Sequence, residues 1–496
     1  MKKIIVMILT VCMLASMLCI TASAADAPAS DVVLRVSVLK RDDSTVVIED
    51  YKVFEDGWNA AMELAVNSKE LNKNDYARVI VDIYADWNAN KDGEFTEDFF
   101  NGKGFNWDAI YFQPNVRMTL NLNGHTINRG LTEWEYNGEV MYIDSRAEVI
   151  INDGTITGGY SCNGAGGIHI NSNAKVVLNN VNVVGNCVED DKGAGIAVYG
   201  GATLTMNGGS LKNNYLNAFF GGTTEGTIYV ENSTAVLNSV LFFENSCNYT
   251  SEQYVHGVAV SLDGNAAVTL NDCTLEKNLL VDTGYADVFY CDDVGCVLTI
   301  NNTTFTGNGV MVNYASRNDL YNYRASIFRG TGTVNINDCK FLDNHIGLVF
   351  MFEDCSNAKI NVNNCDIINN MGQSETQLSE IVDTSAMFES GMSGNELIFT
   401  NCTIEGFFRE INGDPEGRVK ITFRDCHFDR VRWGQFKNNC IFIDSSMPQG
   451  VASIFSEGSL SMIVSLAALV TSIAAIGVCV MTNKKKSVPA NAEDEE

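Results

Sequence analysis

The sequence predicts a mainly β solenoid, in which short strands wind into stacked coils, and three observations carry that expectation. The first is a recurring asparagine. With the Asn of VTLNDCTLEKN (Val268 to Asn278) as origin, the place is taken by Asn123, Asn152, Asn179, Asn207, Asn238, Asn271, Asn301, Asn337 and Asn363, then by Thr400 and Arg424. Successive origins stand 24 to 37 residues apart, too regular for chance and too uneven for helical-pair repeats. The second is alternation: one place before the origin (Leu122, Ile151, on to Phe423) and three places before it (Leu120, Val149, on to Ile421) every residue is apolar. Period two marks a strand with one face inward. The third is a change of phase. Four places after the origin, from Ile127 and Ile156 to Ile404 and Phe428, all eleven residues are apolar, so the inward phase slips at the Asn and the chain bends there.

Asn suits such a bend because it tolerates the left-handed backbone region, and stacked amides can bond to one another along a solenoid. Seven places after the origin a second series follows: Asn186, Asn214, Asn245, Asn278, Asn308, Asn344 and Asn370. Beyond it lies a third short strand, often led by glycine, as in GGIHI (Gly166 to Ile170), GIAV (Gly195 to Val198) and GTIYV (Gly226 to Val230). Three strands per coil of about 30 residues resembles the right-handed parallel β-helix of the pectate-lyase-like superfamily. The glycine-led strands and repeated Asn also resemble the adhesin repeats of polymorphic outer-membrane and autotransporter passenger proteins. The resemblance covers roughly residues 110 to 445 and implies a right-handed parallel β-helix solenoid of about eleven coils. For function it implies less, since the fold hosts many activities.

Taken in order, Lys2 and Lys3, the apolar run Ile4 to Ile20 and the triplet Ala22, Ser23, Ala24 predict a signal peptide over 1–24. Residues 25–110 lack the repeat and are expected to form a small N-terminal α/β cap: Val32 to Leu39 and Arg78 to Tyr84 read as strands, and Gly57 to Ser68 has apolar residues at helical spacing. A solenoid needs a cap because its first coil otherwise exposes strand edges. Within the cap, Asn88, Asn90 and Asp92 with Gly93 match the first half of a calcium loop, but Phe99 stands where a bidentate acid is needed, so a polar turn is the commoner explanation and no cofactor is expected beyond weak calcium. The solenoid is expected over 111–445, a rod on the order of 50 Å long. A linker (446–458), a transmembrane helix (459–482, uncharged and followed by Lys484 to Lys486) and a cytoplasmic tail (483–496) complete the expectation, which places the body of the chain outside the cell.

The chain carries 33 Lys and Arg against 61 Asp and Glu, a net charge of −28. Long-range repulsion disfavours nucleic acid and anionic polysaccharide as partners. Five cysteines share the place two after the origin: Cys273, Cys339, Cys365, Cys402 and Cys426. Stacked Cβ atoms about 4.8 Å apart exceed the roughly 3.8 Å of a disulfide, so a ladder of free buried thiols is expected, with Cys291 and Cys296 left as a possible pair across a turn. No His stands at zinc-site spacing from these cysteines.

Two functional readings follow. Inserts after the second Asn series are rich in tyrosine, with Tyr136, Tyr160, Tyr215, Tyr249, Tyr254, Tyr285, Tyr314, Tyr321 and Tyr323. Aromatic loops on a rigid scaffold suit a glycan or a protein partner, although single rings commonly pack on their own coil. The candidate contacts are Tyr249, Tyr254, Tyr285, Tyr314, Tyr321 and Tyr323. The other reading is a polysaccharide lyase or glycoside hydrolase, which would need carboxylates and a cation outside the glycine-led strand. Counting along that strand places His169, Ala197, Tyr229, Ala259, Phe289, Phe328 and Val349 outward, without a charge among them. The next turn holds an acidic row of Glu231, Asp263, Asp292, Asp293, Glu353 and Asp354, interrupted by Arg329. The uncharged outward row sets binding ahead of catalysis, and His125 in NGHTI reads as a structural residue of the first coil.

Overall fold

The computed structural model describes residues 28–445 except 68–74, 90–104, 107–108, 219–222, 249–254, 281–284, 311–323, 347, 352–355, 371–379, 384–393, 409–418, 430 and 434–439. The expected signal peptide, linker, membrane helix and tail therefore lie outside the described residues. Among the described residues no helix is long and apolar enough to cross a membrane.

The described residues open with two strands, β1 (Leu34–Lys40) and β2 (Thr45–Tyr51), paired antiparallel, then a helix, α1 (Phe54–Val66), and a strand β3 (Tyr76–Ile83) antiparallel to β1. The apolar stripe of α1 is buried at Trp58, Ala61, Met62 and Ala65, and Trp58 packs edge-on against Phe112 of the first coil at 5.0 Å. β3 then runs parallel to Arg117–Asn121, with Val79 opposite Met118 and Val81 opposite Leu120. The first coil thus meets a sheet edge already formed, which removes the open end that a bare solenoid would present.

From there nearly every pairing is parallel and joins one coil to the next, giving long parallel sheets consistent with a β-helix. A main sheet holds the strands on either side of the origin, a short sheet follows the second Asn series, and a third sheet holds the glycine-led strands. The inward places are occupied as the pattern required: Ile127, Ile156, Val183, Leu211, Phe242, Leu275, Phe305, Phe341, Ile367 and Ile404 are wholly buried.

Two details of the corner differ from the expectation. In the first coil the origin is Asn121, which pairs with Asn152, and not Asn123. Ile127 still pairs with Ile156, so the first corner holds two additional residues, and counting back four places from Ile127 lands on Asn123. The left-handed backbone also falls one place later than expected. Asp153, Asn180, Asp272, Asn302 and Asp338 have φ of 52°, 51°, 54°, 47° and 56°. The origin Asn itself stays in the extended strand, and its side chain is free to stack.

Both amide series form ladders, with opposite polarity. In the first, each Nδ2 donates to the Oδ1 of the preceding coil, at 2.8 Å from Asn179 to Asn152 and 2.9 Å from Asn271 to Asn238. Asp82 of β3 accepts from Asn121 at 2.7 Å and ends that ladder on the cap. In the second, each Nδ2 donates to the following coil, at 2.8 Å from Asn245 to Asn278 and 2.9 Å from Asn278 to Asn308. The same amides bond the main chain: Asn278 Nδ2 donates to the Phe242 carbonyl at 3.2 Å. Asn186, Asn214, Asn245, Asn278, Asn308 and Asn344 are completely buried, and a buried amide must be bonded in this way to be tolerated.

The thiol series is a ladder of free cysteines. Cys273, Cys339, Cys365, Cys402 and Cys426 are buried and unbridged, and burial pushes the Cys273 thiol up to about 11. Cys291 and Cys296 are likewise buried and not joined by a disulfide, so they do not form the cross-turn pair.

Candidate functional site: the outer face of the third sheet

The register of the third sheet corrects the outward row. Tyr142, His169, Ala197, Tyr229, Ser261, Tyr290 and Arg329 stand opposite one another in successive coils. Phe289 and Phe328 are in register with Ile228 and Val260 on the inward row, and Ser261 occupies the place given to Ala259. Val349 likewise yields its place, because Arg329 stands opposite Met351. The miscount has a local cause: Gly257 (φ 58°) follows His256 as Gly193 (φ 79°) follows Lys192, so it does not hold the place of Gly195, and the strand that carries the row in the following coil, Tyr285–Cys291, has no leading glycine to fix its phase. Tyr285 opens that strand, opposite Arg324, and does not belong to an insert. Arg329 belongs to the outward row and does not interrupt the acidic turn.

Two further columns flank this row. On the entry side, Lys192 bridges to Glu225, Glu225 pairs with His256, and the next strand brings Asp287 opposite Ser326. On the exit side, Tyr199, Glu231 and Asp263 are in register. The face is therefore charged, contrary to the sequence count, and its charges are buried or half-buried.

The centre is a cluster around Tyr229. Its hydroxyl donates to Asp263 Oδ2 at 2.8 Å and accepts from Lys192 Nζ at 3.0 Å, and the same ammonium lies 3.2 Å from Glu225 and 3.7 Å from Asp263. Glu225 is 6 % exposed and accepts from the Ser261 hydroxyl at 2.8 Å. Burial raises the Glu225 carboxyl above its usual range and Lys192 opposes the rise, while burial and then Asp263 raise the Tyr229 phenol. One coil on, His256 Nδ1 is 3.4 Å from Asp287, and its ring stacks on Tyr290 at 4.1 Å.

Towards the cap the row becomes an aromatic ladder, Tyr111, Tyr142, His169, Tyr199 and Tyr229, with centroids 4.6 to 5.8 Å apart. Burial pushes the His169 imidazole down to about 4, so it is neutral at ordinary pH. Tyr–carboxylate pairs recur along the face: Tyr111 donates to Asp144 at 2.6 Å and Tyr290 to Asp292 at 2.8 Å.

The remaining sequence candidates divide as follows. Asp263 is part of the central cluster, Asp292 and Asp293 are exposed at the turn, and Asp293 accepts from the Gly264 amide at 3.1 Å. Glu353, Asp354, Tyr249, Tyr254, Tyr314, Tyr321 and Tyr323 lie outside the described residues, as do Asn90 and Asp92. Asn88 is in a short strand opposite Asn128. Among the described residues no group of three or more His, Cys, Asp or Glu is arranged to hold a metal ion. His125 contacts Asp86 at 3.2 Å where the cap meets the first coil. Of the insert tyrosines, Tyr160 is tied to Glu189 at 2.6 Å, whereas Tyr136 is 68 % exposed.

The sequence reading missed Lys192, Glu225, Ser261, His256 and Asp287. A signal was present, since Lys192, Glu225 and His256 each directly precede a glycine (Gly193, Gly226 and Gly257) within four residues of a third-sheet strand, but the shorter insert before Lys192 hides its alignment with the other two. The fold and this face define a mainly β protein of long parallel sheets with a polar outer face on one of them. Comparison of the chain with family models, with curated proteins and with solved structures gives no match, so the chemistry of the face is read from its own residues.

Proposed function

We propose that the chain is an adhesin-like surface protein, a right-handed β-helix of the pectate-lyase-like kind, that binds a glycan along the outer face of its third sheet. In this reading residues 1–24 export it and 459–482 hold it in the cell membrane with the solenoid outside. The observation that carries the reading is the succession of tyrosine hydroxyls paired with carboxylates along that face. The rings stack largely on one another and Tyr229 is itself wholly buried, so what the face offers a ligand is the Tyr111 and Tyr290 hydroxyls with the Asp144, Asp263 and Asp292 carboxylates, groups suited to sugar hydroxyls.

The test is capture of the full-length chain on a glycan array. Asp263→Asn with Asp292→Asn is expected to weaken capture while the melting temperature stays nearly constant. Unchanged capture by that variant, with capture lost when Tyr314, Tyr321 and Tyr323 are replaced by Ala, would move the binding face to the inserts.

A second reading, polysaccharide cleavage, draws on the Lys192, Glu225, Tyr229 and Asp263 cluster, where a buried carboxyl, an ammonium and a phenol adjoin. Such groups serve as general acids and bases. Sustained release of reducing ends or unsaturated products by the native chain, abolished by Lys192→Ala, would favour catalysis over simple binding.

A further inference from the structure

Between the first coils, the same face holds two buried polar atoms that no described residue satisfies: Glu139 Oε2 and His169 Nδ1. Glu139 is 2 % exposed. The amide of the next residue, Val140, donates to the Gly166 and Gly167 carbonyls at 3.2 and 3.0 Å, which sets Glu139 beside the turn that holds Gly164. Asp191 accepts from the Gly164 amide at 2.6 Å, and a Cβ on Gly164 would stand 2.7 Å from His169 Nδ1, so these groups converge on one place.

The neighbouring cations are committed elsewhere. The Arg129 guanidinium donates to the Glu139 carbonyl at 2.7 Å and to Asn137 O and Glu135 at 3.3 Å, holding the insert by its main chain. Lys192 is engaged by Glu225, Asp263 and Tyr229. On the insert that Arg129 holds, Trp134 and Tyr136 are 48 % and 68 % exposed, among the most exposed large apolar side chains of the described residues. The Arg129 charge offsets only part of the cost of burying Glu139, and a bound cation with directional N–H donors relieves more of it.

We propose that Glu139, Asp191 and His169, with Trp134 and Tyr136 at the rim, form a subsite for an amine-bearing sugar, whose ammonium lies against the two carboxylates. This rests on the glycan reading and narrows it. An anionic uronate would meet Glu139, Asp144, Asp191 and Glu225 with no free cation among the described groups just named, and an N-acetyl sugar would bring no charge to offset them.

The test is titration calorimetry on the full-length chain, with a fully deacetylated β-1,4-linked glucosamine hexamer and its N-acetylated counterpart as probes. The native chain is expected to bind the deacetylated hexamer about tenfold or more tightly, with the difference shrinking at high salt. Glu139→Gln, which preserves shape, is expected to erase the preference, whereas Trp134→Ala with Tyr136→Ala weakens both hexamers alike. Equal binding of the two hexamers, or a preference that survives Glu139→Gln, overturns the subsite. Binding of other array glycans but neither hexamer overturns it too and leaves the glycan reading standing, while no binding to any glycan sinks both.

Discussion

Two sets of buried polar groups in this protein are built on opposite principles. The second amide ladder, from Asn186 to Asn370, is hidden from water, and each amide between its ends bonds the coil on either side. The face of the third sheet is also largely hidden, yet Glu139 and His169 each keep a buried atom with no partner among the described residues. The difference separates groups that stabilise from groups held ready. A closed ladder gains stability from every member, while an unsatisfied carboxyl lowers stability until something binds it.

That contrast can be broken in four ways, here from the largest effect to the smallest. Phe341 is completely buried, stacks on Phe305 at 4.4 Å, and gives its carbonyl to Asn370 of the ladder. Phe341→Asp is expected to cost about 4 kcal/mol or more, because an unpaired carboxylate enters the core. A melting transition that does not move would show that the inward phase is misassigned.

Asn278→Ala removes the acceptor for Asn245 Nδ2 and the donor to Asn308 and Phe242, leaving buried groups unpaired on both sides. A loss of about 3 kcal/mol is expected in denaturant unfolding. A change near zero would mean that water replaces the amide.

Glu139→Gln should act in the other direction. Burial pushes this carboxyl up to about 7 from its ordinary 4.5. Folding therefore favours the protonated acid: that stability is complete below about pH 4.5 and is lost as pH rises through 7. The variant is expected to gain about 3 kcal/mol over the native chain at pH 8 and nothing at pH 4. A gain independent of pH would assign the effect to packing and not to charge.

Asn271→Ala, in the half-buried first ladder, removes only the bonds to Asn238 and Asn301. About 1 kcal/mol is expected. A loss equal to that of Asn278→Ala would erase the distinction between the two corners.

The sequence by itself determined the coil, because what makes a coil repeats. Each inward place must be apolar and each corner must bend, so the same residue types recur at the same offsets, and Asn152, Asn179 and Asn278 were legible one by one. Even its error was local: two extra residues in the first corner moved the origin from Asn121 to Asn123. Only the tertiary structure decided the face of the third sheet. Glu225 and His256 lie 18 places after Asn207 and Asn238, but Lys192 lies only 13 after Asn179, so its place in the column is visible only when hydrogen bonds between coils bring it into register. The same holds for the outward row, where Gly257 takes the place of Gly193 and not of Gly195, so that Ser261 stands outward and Ala259 does not. Periodic burial is written into a solenoid's sequence because every coil obeys the same physics. A binding face departs from the repeat, and so its members are found only where the coils place them.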